Sequence, residues 1–338
     1  MVKRAKNLPN DLEEIKGIFR FKGAIPTNLK FTSMYLFEID NKSVIVDAGI
    51  NFPDFSRNFF ASIKKLPDYC ILTHSHPDHI GLIKKLKQKN PNMQLLMPEL
   101  THEIIKWHTN PENKKEIQDN AKKIVQEVSK YGLSDKQASR VGQYLTAWPK
   151  LIKYEKPDVL LGDGDEISFG TNSLKIISTP GHTIGHICVL DKEKQYLFSG
   201  DHILSRITPH IGTFDVYPEF KGGIDFSNPL KSYLESLDKI DRLDLKIIFP
   251  AHQEVIFNPH ERILEIKEHH QRRLNEIQEI IKDKPMSPLK VSNIHFGENL
   301  DEFNYMLALN EIASHLMYLE KQEKIKRIEK SGKILFKS

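Results

Sequence analysis

The segment ILTHSHPDHIG (71–81) decides how this chain is read. An apolar run ends at Thr73, and His74, His76, Asp78 and His79 follow within six residues. A loop leaving a strand can fan such side chains around one point. Imidazole nitrogen with carboxylate oxygen is a donor set that borderline ions such as zinc favour, and Pro77 stiffens the loop that carries it. Composition alone produces the string H-x-H-x-D-H on the order of 0.002 times in a chain of this kind. A chance cluster of surface histidines is therefore the poorer explanation.

The same grammar recurs three times further on. IISTPGHTIGH (176–186) places His182 after a Pro-Gly turn, YLFSGDHI (196–203) places Asp201 after a glycine, and IIFPAHQE (247–254) places His252 just beyond a proline. Taken singly, a histidine or aspartate at a strand end is usually a capping or structural residue. Four strand ends delivering metal-capable side chains predict the rim of a sheet sandwich converging on one pocket.

Outward from these motifs, short apolar runs alternate with helical patterns. GIFRFKG and MYLFEID read as strands, with Asp40-Asn41-Lys42 as the hairpin turn into SVIVDAG. YCILT, QLLM, LKIIS, YLFSG and LKIIFP follow as further strands, and IGLIKKLKQ and LKSYLESLDKI read as helices between them. The result is a layered α/β domain. Residues from about 101 to 153 are polar and lysine-rich, with apolar residues at helical spacing, and read as a helical insertion over the core. A helix starts near Pro259, and the proline-containing DKPMSPL (283–289) marks a boundary. FNYMLALNEIASHLMYLEKQEKI then reads as a helix, and the last residues as a two-stranded wing turning at Ser331-Gly332. The expected organisation is a catalytic domain over 1–262 and a C-terminal helical, winged-helix-like module over 263–338.

Bulk properties narrow the class. The chain has 338 residues, 39% of them hydrophobic and 28% charged, with a formal net charge of +4, which is ordinary for a globular protein. No stretch approaches the roughly 20 apolar residues of a membrane span. The charged start MVKRAKNLPNDLEEIKG does not read as a signal peptide, so a cytoplasmic location and no membrane partner are expected. Cys70 and Cys188 lie in apolar runs and read as buried strand residues rather than ligands or a disulfide.

HSHPDH, a histidine in PGHT, an aspartate in SGD and a histidine after FPA, in that order, resemble the ligand pattern of the metallo-β-lactamase superfamily. The resemblance covers about 17–259 and includes the strand end VDAG (46–49), where family members carry a structural aspartate. It implies an αββα four-layer sandwich and two divalent metal ions, zinc first, with iron or manganese as the other candidates. Carried over by residue, His74, His76 and His182 would hold one ion, Asp78, His79 and His252 the other, and Asp201 would bridge them. It further implies a bridging hydroxide as nucleophile, with Asp78 as the catalytic carboxylate that orients it and carries its proton. His202, His210 and Tyr217 are alternatives for the leaving-group acid. His186 reads as a supporting or packing residue. The adjacent His269 and His270 point about 100° apart on a helix, so they do not form a ligand pair.

Departures within the family separate its branches. An aspartate at 201, where true β-lactamases commonly have cysteine, argues against antibiotic hydrolysis. His76, where flavodiiron oxygen reductases have glutamate, argues against that group. SGDHILSRITPHIG (199–212), HERILEIKEHHQRR (260–273) and the tail resemble the hydroxyacylglutathione hydrolase-like and beta-lactamase-like, endoribonuclease-type subgroup. The leading expectation is hydrolysis of a small ester, thioester or lactone. The alternatives are a single-strand endoribonuclease, an iron-dependent persulfide dioxygenase, and a non-catalytic metal scaffold. The basic residues Lys324, Lys326, Arg327, Lys330, Lys333 and Lys337 motivate an RNA partner, but no aromatic and basic stacking platform accompanies them. The tail is also the candidate surface for a homo-oligomer.

Overall fold

In the computed structural model the described residues are 12–25, 29–218, 220 and 227–338, the side chains of 148 and 149 excepted. Seven strands form one sheet in chain order: β1 (Leu12–Ile15), β2 (Ile18–Ala24), β3 (Phe31–Ile39), β4 (Lys42–Val46), β5 (Tyr69–Ile71), β6 (Gln94–Pro98) and β7 (Val159–Leu161). The first four pair antiparallel and the rest parallel. A second sheet holds β8 (Glu166–Phe169), β9 (Asn172–Ser178), β10 (Ile187–Asp191), β11 (Tyr196–Gly200) and β12 (Ile247–Pro250), with β12 parallel to β11.

Side-chain alternation makes the layers. On β4, Val44 and Val46 face the space between the sheets, whereas Ile45 faces out; Ile71 and Cys70 split the same way, as do Leu96 and Leu95. In the second sheet Ile176 and Val189 point inward and Ile177 and Cys188 outward. Successive strand residues alternate sides, and here both sides are apolar because both faces are covered. Phe37 stacks on Phe198 at 4.9 Å between ring centroids, closing the inner layer.

Helices cover the two outer faces. On the first lie α1 (Pro53–Ser62), the single turn α2 (Pro77–Ile80) and α3 (Ile83–Lys89), through Phe55, Phe59, Ile83 and Leu86. The insertion consists of α4 (Glu99–Thr109), α5 (Lys114–Ser129) and α6 (Asp135–Ala147). On the second face lie α7 (Pro229–Asp241) and α8 (Pro259–Ile280), through Leu230, Tyr233, Leu237, Ile263 and Ile266. α9 (Pro288–Phe296), α10 (Glu302–Lys321) and the hairpin of β13 (Lys326–Lys330) and β14 (Lys333–Lys337) complete the chain.

The 262/263 position falls inside α8, and residues of α7, α8, α10 and β14 share one buried cluster with α5 and α6. The hairpin turns at Ser331 and Gly332, both at positive φ (51° and 71°). No helix among the described residues is long and apolar enough to cross a membrane.

Candidate metal centre

All seven side chains singled out in the sequence meet at one edge of the sandwich. His74, His76, His182 and Asp201 form one group and Asp78, His79 and His252 another, each with its ligand atoms within 4.8 Å of one another. β5 ends just before Thr73, β9 before His182, β11 before Asp201 and β12 before His252, so the strand ends aim four loops at the same point. Asp201 stands between the groups. Its Oδ2 lies 3.3 Å from His182 Nε2 and 4.0 Å from His74 Nε2, while its Oδ1 lies 3.3 Å from His252 Nε2 and 3.5 Å from His79 Nε2. Asp78 Oδ2 is 3.5 Å from His252 Nε2 and 3.7 Å from His79 Nε2.

The other ring nitrogens are committed elsewhere, which fixes the tautomers. His79 Nδ1 donates to Asp47 Oδ2 (2.8 Å), His74 Nδ1 to Thr73 Oγ1 (2.9 Å), His182 Nδ1 to the His210 carbonyl (2.8 Å) and His252 Nδ1 to the Phe31 carbonyl (2.7 Å). Each Nε2 lone pair is thereby left to the centre, the usual arrangement behind a ligating histidine. His76 presents Nδ1 instead, 3.1 Å from His182 Nε2. Thr73 is tied in turn to Asp47, whose Oδ1 accepts the Thr73 N–H at 2.8 Å. His186 works from behind, its Nε2 accepting the Asp201 N–H at 3.1 Å. Gly200 makes this possible: at φ +50°, a Cβ there would lie 2.6 Å from His186 Nε2 and 2.8 Å from Thr73 Oγ1.

The site fits cations. His74 Nε2, His79 Nε2 and Asp201 Oδ1 are buried without a hydrogen-bond partner, a costly state that native structures rarely leave unanswered. A positive ion between them answers it. The electrostatics agree in direction. Burial pushes the His74 and His76 imidazoles well down, and their neighbouring rings push further. Asp201 is held well below the usual carboxylate range, the pull of His252, His79 and His182 outweighing burial. His79 goes the other way, burial being overcome by Asp201, Asp78 and Asp47, to about 10.

Beside the first group a pocket of about 20 Å³ is lined by Ser75, His76, Thr183, Ile104, Leu145 and Tyr217 among others, room for about one water. Through His108 and Ile152 it adjoins a cleft of about 590 Å³ whose wall carries Lys106 and Lys150. Of the three residues weighed as leaving-group acids, Tyr217 lines the pocket, hydrogen-bonding Asp215 Oδ2 at 3.0 Å. The His202 ring packs on Tyr233, and the His210 ring meets Asn310. His270 pairs with His315 (3.1 Å) inside the helical layer, away from the seven. Thr73, the His210 carbonyl and Asn310 carried no signal in the sequence beyond their nearness to a motif or to none.

Residues 27–252 match the family model described as the Metallo-beta-lactamase superfamily. A beta-lactamase-like protein 2 homolog of Caenorhabditis elegans is 25% identical over 279 residues, covering 81% of this chain and 74% of that protein. A hydroxyacylglutathione hydrolase of Klebsiella pneumoniae is 28% identical over 173 residues, covering 50% of this chain and 46% of that one. The crystal structure of a beta-lactamase domain protein from Burkholderia ambifaria superposes with a TM-score of 0.78 at 25% identity, over 98% of this chain and 96% of the other.

Proposed function

Because the chain belongs to the metallo-beta-lactamase superfamily, we propose that it is a dinuclear metal-dependent hydrolase of a small ester, thioester or lactone. The observation that carries this reading is the Asp201 carboxylate, which turns one oxygen to each histidine group. His74, His76 and His182 would hold one ion, Asp78, His79 and His252 the other, and Asp201 both. Nitrogen and carboxylate donors without sulfur suit zinc first, with iron or manganese as alternatives. When bound, such ions supply Lewis acidity and a water whose pKa falls to about 7.

The chain does the rest. Asp78 is the most solvent-exposed of the two aspartates, its side chain 22% accessible against 7% for Asp201, and it orients the attacking water and carries its proton toward the leaving group. Ile104, Leu145, Ile152 and Val216 give the small pocket beside His76 an apolar wall, and the roomier cleft that adjoins it is where an acyl group would lie. Lys106 and Lys150, neither in an ion pair among the described residues, suit a leaving group that carries negative charge. A thioester accords with the name of the Klebsiella relative.

The test combines metal analysis with a substrate panel of lactoylglutathione, p-nitrophenyl esters, homoserine lactones, single-stranded RNA and glutathione persulfide. The expected result is about two ions per chain, turnover of an ester, thioester or lactone, and its abolition in Asp78→Ala with the fold intact. Turnover of RNA alone, falling steeply with salt, or one iron with persulfide oxidation, would overturn the reading.

A further inference from the structure

The ring of His182 is steadied by a segment far from it in sequence. Its Nδ1 donates to the carbonyl of His210 (2.8 Å), and residues 210–214 form no helix or strand. That segment is tied instead to α10. Asn310 Oδ1 accepts from Thr213 N (2.6 Å), Phe214 N (3.1 Å) and Thr213 Oγ1 (3.2 Å), and its Nδ2 donates to His210 Nε2 (3.1 Å). Ser314, one turn further, donates to the Ile211 carbonyl (2.9 Å). Gly212 completes the fit, since a Cβ there would lie 2.0 Å from Asn310 Nδ2.

Asn310 and Ser314 are 7% and 0% exposed, among Leu309, Ile312, Ala313 and Leu316 of the same buried cluster. Burying an amide costs stability unless its hydrogen bonds are made, and packing alone would be served by a leucine. The polar choice is explained by what it grips. We infer that Asn310 is a positioning residue for the first ligand group: through 210–214 it sets where His182 Nε2 points. The helix that follows the catalytic residues thereby tunes one metal position and not the other, because Asp78, His79 and His252 have no link to 210–214 among the described contacts.

The inference rests on the dinuclear reading, and the experiment separates the two. Full-length protein is loaded with zinc, and stepwise affinities are measured by competition with a chromophoric chelator. Asn310→Ala is expected to weaken one ion by about 10–100-fold and to leave the other unchanged. In a His182→Ala background the same substitution should no longer change zinc affinity, a cancellation that general destabilisation would not produce. Leu319→Ala, buried further along α10, serves as the control that lowers the melting temperature without selectivity. If Asn310→Ala does not fold, Ser314→Ala should show the same selective loss at smaller size. Unchanged affinities, equal loss at both ions, or a loss that persists without His182 would overturn the inference. Wild-type protein that binds fewer than two ions, whether zinc, iron or manganese is offered, would instead remove the dinuclear reading.

Discussion

Replacing Asp47 by asparagine isolates one hydrogen bond behind the second ligand group. Asp47 sits at φ +62°, a conformation asparagine tolerates, so the backbone is not strained. Its Oδ1 accepts the Thr73 N–H (2.8 Å) and Thr73 Oγ1 (3.0 Å), and its Oδ2 accepts His79 Nδ1 (2.8 Å). An asparagine that keeps its carbonyl toward Thr73 turns its NH₂ onto the His79 Nδ1–H, donor against donor. His79 then has two choices. It can shift its proton to Nε2, which blocks the lone pair facing Asp201, or keep the ligating tautomer and lose a charge-assisted bond. A hydrogen bond to a charged group is worth about 1.5–3 kcal/mol, so the second ion should bind about tenfold to a hundredfold more weakly. Chelator competition on zinc-loaded Asp47→Asn should therefore report weaker binding at the position proposed for Asp78, His79 and His252. The ion beside His74, reached through the retained Thr73 contacts, should be spared. Wild-type affinity at both positions would refute the role given to Asp47.

Charge reversal of Lys106 and Lys150 should raise KM for an anionic thioester about three- to tenfold at low salt, the scale of two exposed charges, with the gap closing as ionic strength rises. Turnover of a neutral p-nitrophenyl ester by the same variant should stay level, and steady-state kinetics on both substrates decide it. Asp158 offers a pH test. Burial would raise its carboxyl, but the Leu95 N–H and Lys87 lower it below the usual value, so its contribution is present above the ordinary carboxylate range and is lost as pH falls through the folded-state value. Thermal melts should show wild type exceeding Asp158→Asn by at most about 1 kcal/mol at pH 7, since solvent screens a part-exposed carboxylate, and the two converging in acid. Dialysis against a chelator should abolish turnover, and added zinc should restore it; activity that survives full metal removal would contradict the reaction proposed.

The seven residues that meet at the sheet edge were legible because they follow strand ends, where a short apolar run and a proline or glycine announce the turn. What supports them was less so. His186 read as a helper from its spacing to His182, but Asn310 is separated from Thr213 by 97 residues and sits in a helix of ordinary apolar pattern. DKPMSPL reads as a break, yet it leads into α9, where Ser287 caps the helix by accepting from Lys290 N and Pro288 occupies its first turn. β1 reads poorly as a strand because LEEI carries two acids; Glu13 is answered across the sheet by Arg20 and Lys22. For Asn310 the missing information was a partner distant in sequence; for α9 and β1 it was a local cap and the neighbouring strand of a hairpin.

α8 runs unbroken from Pro259 to Ile280 and lies in one buried cluster with α7 and α10. Anyone trimming this protein to a minimal hydrolase by stopping soon after His252 would remove that helix and strip the cover from Tyr233, Leu237 and Ile240. The shortened product should be prone to clump, and whatever fraction stayed dispersed would have one loosened imidazole. Grafting this tail onto another protein would not transfer its grip without Gly212 and Thr213, which it holds.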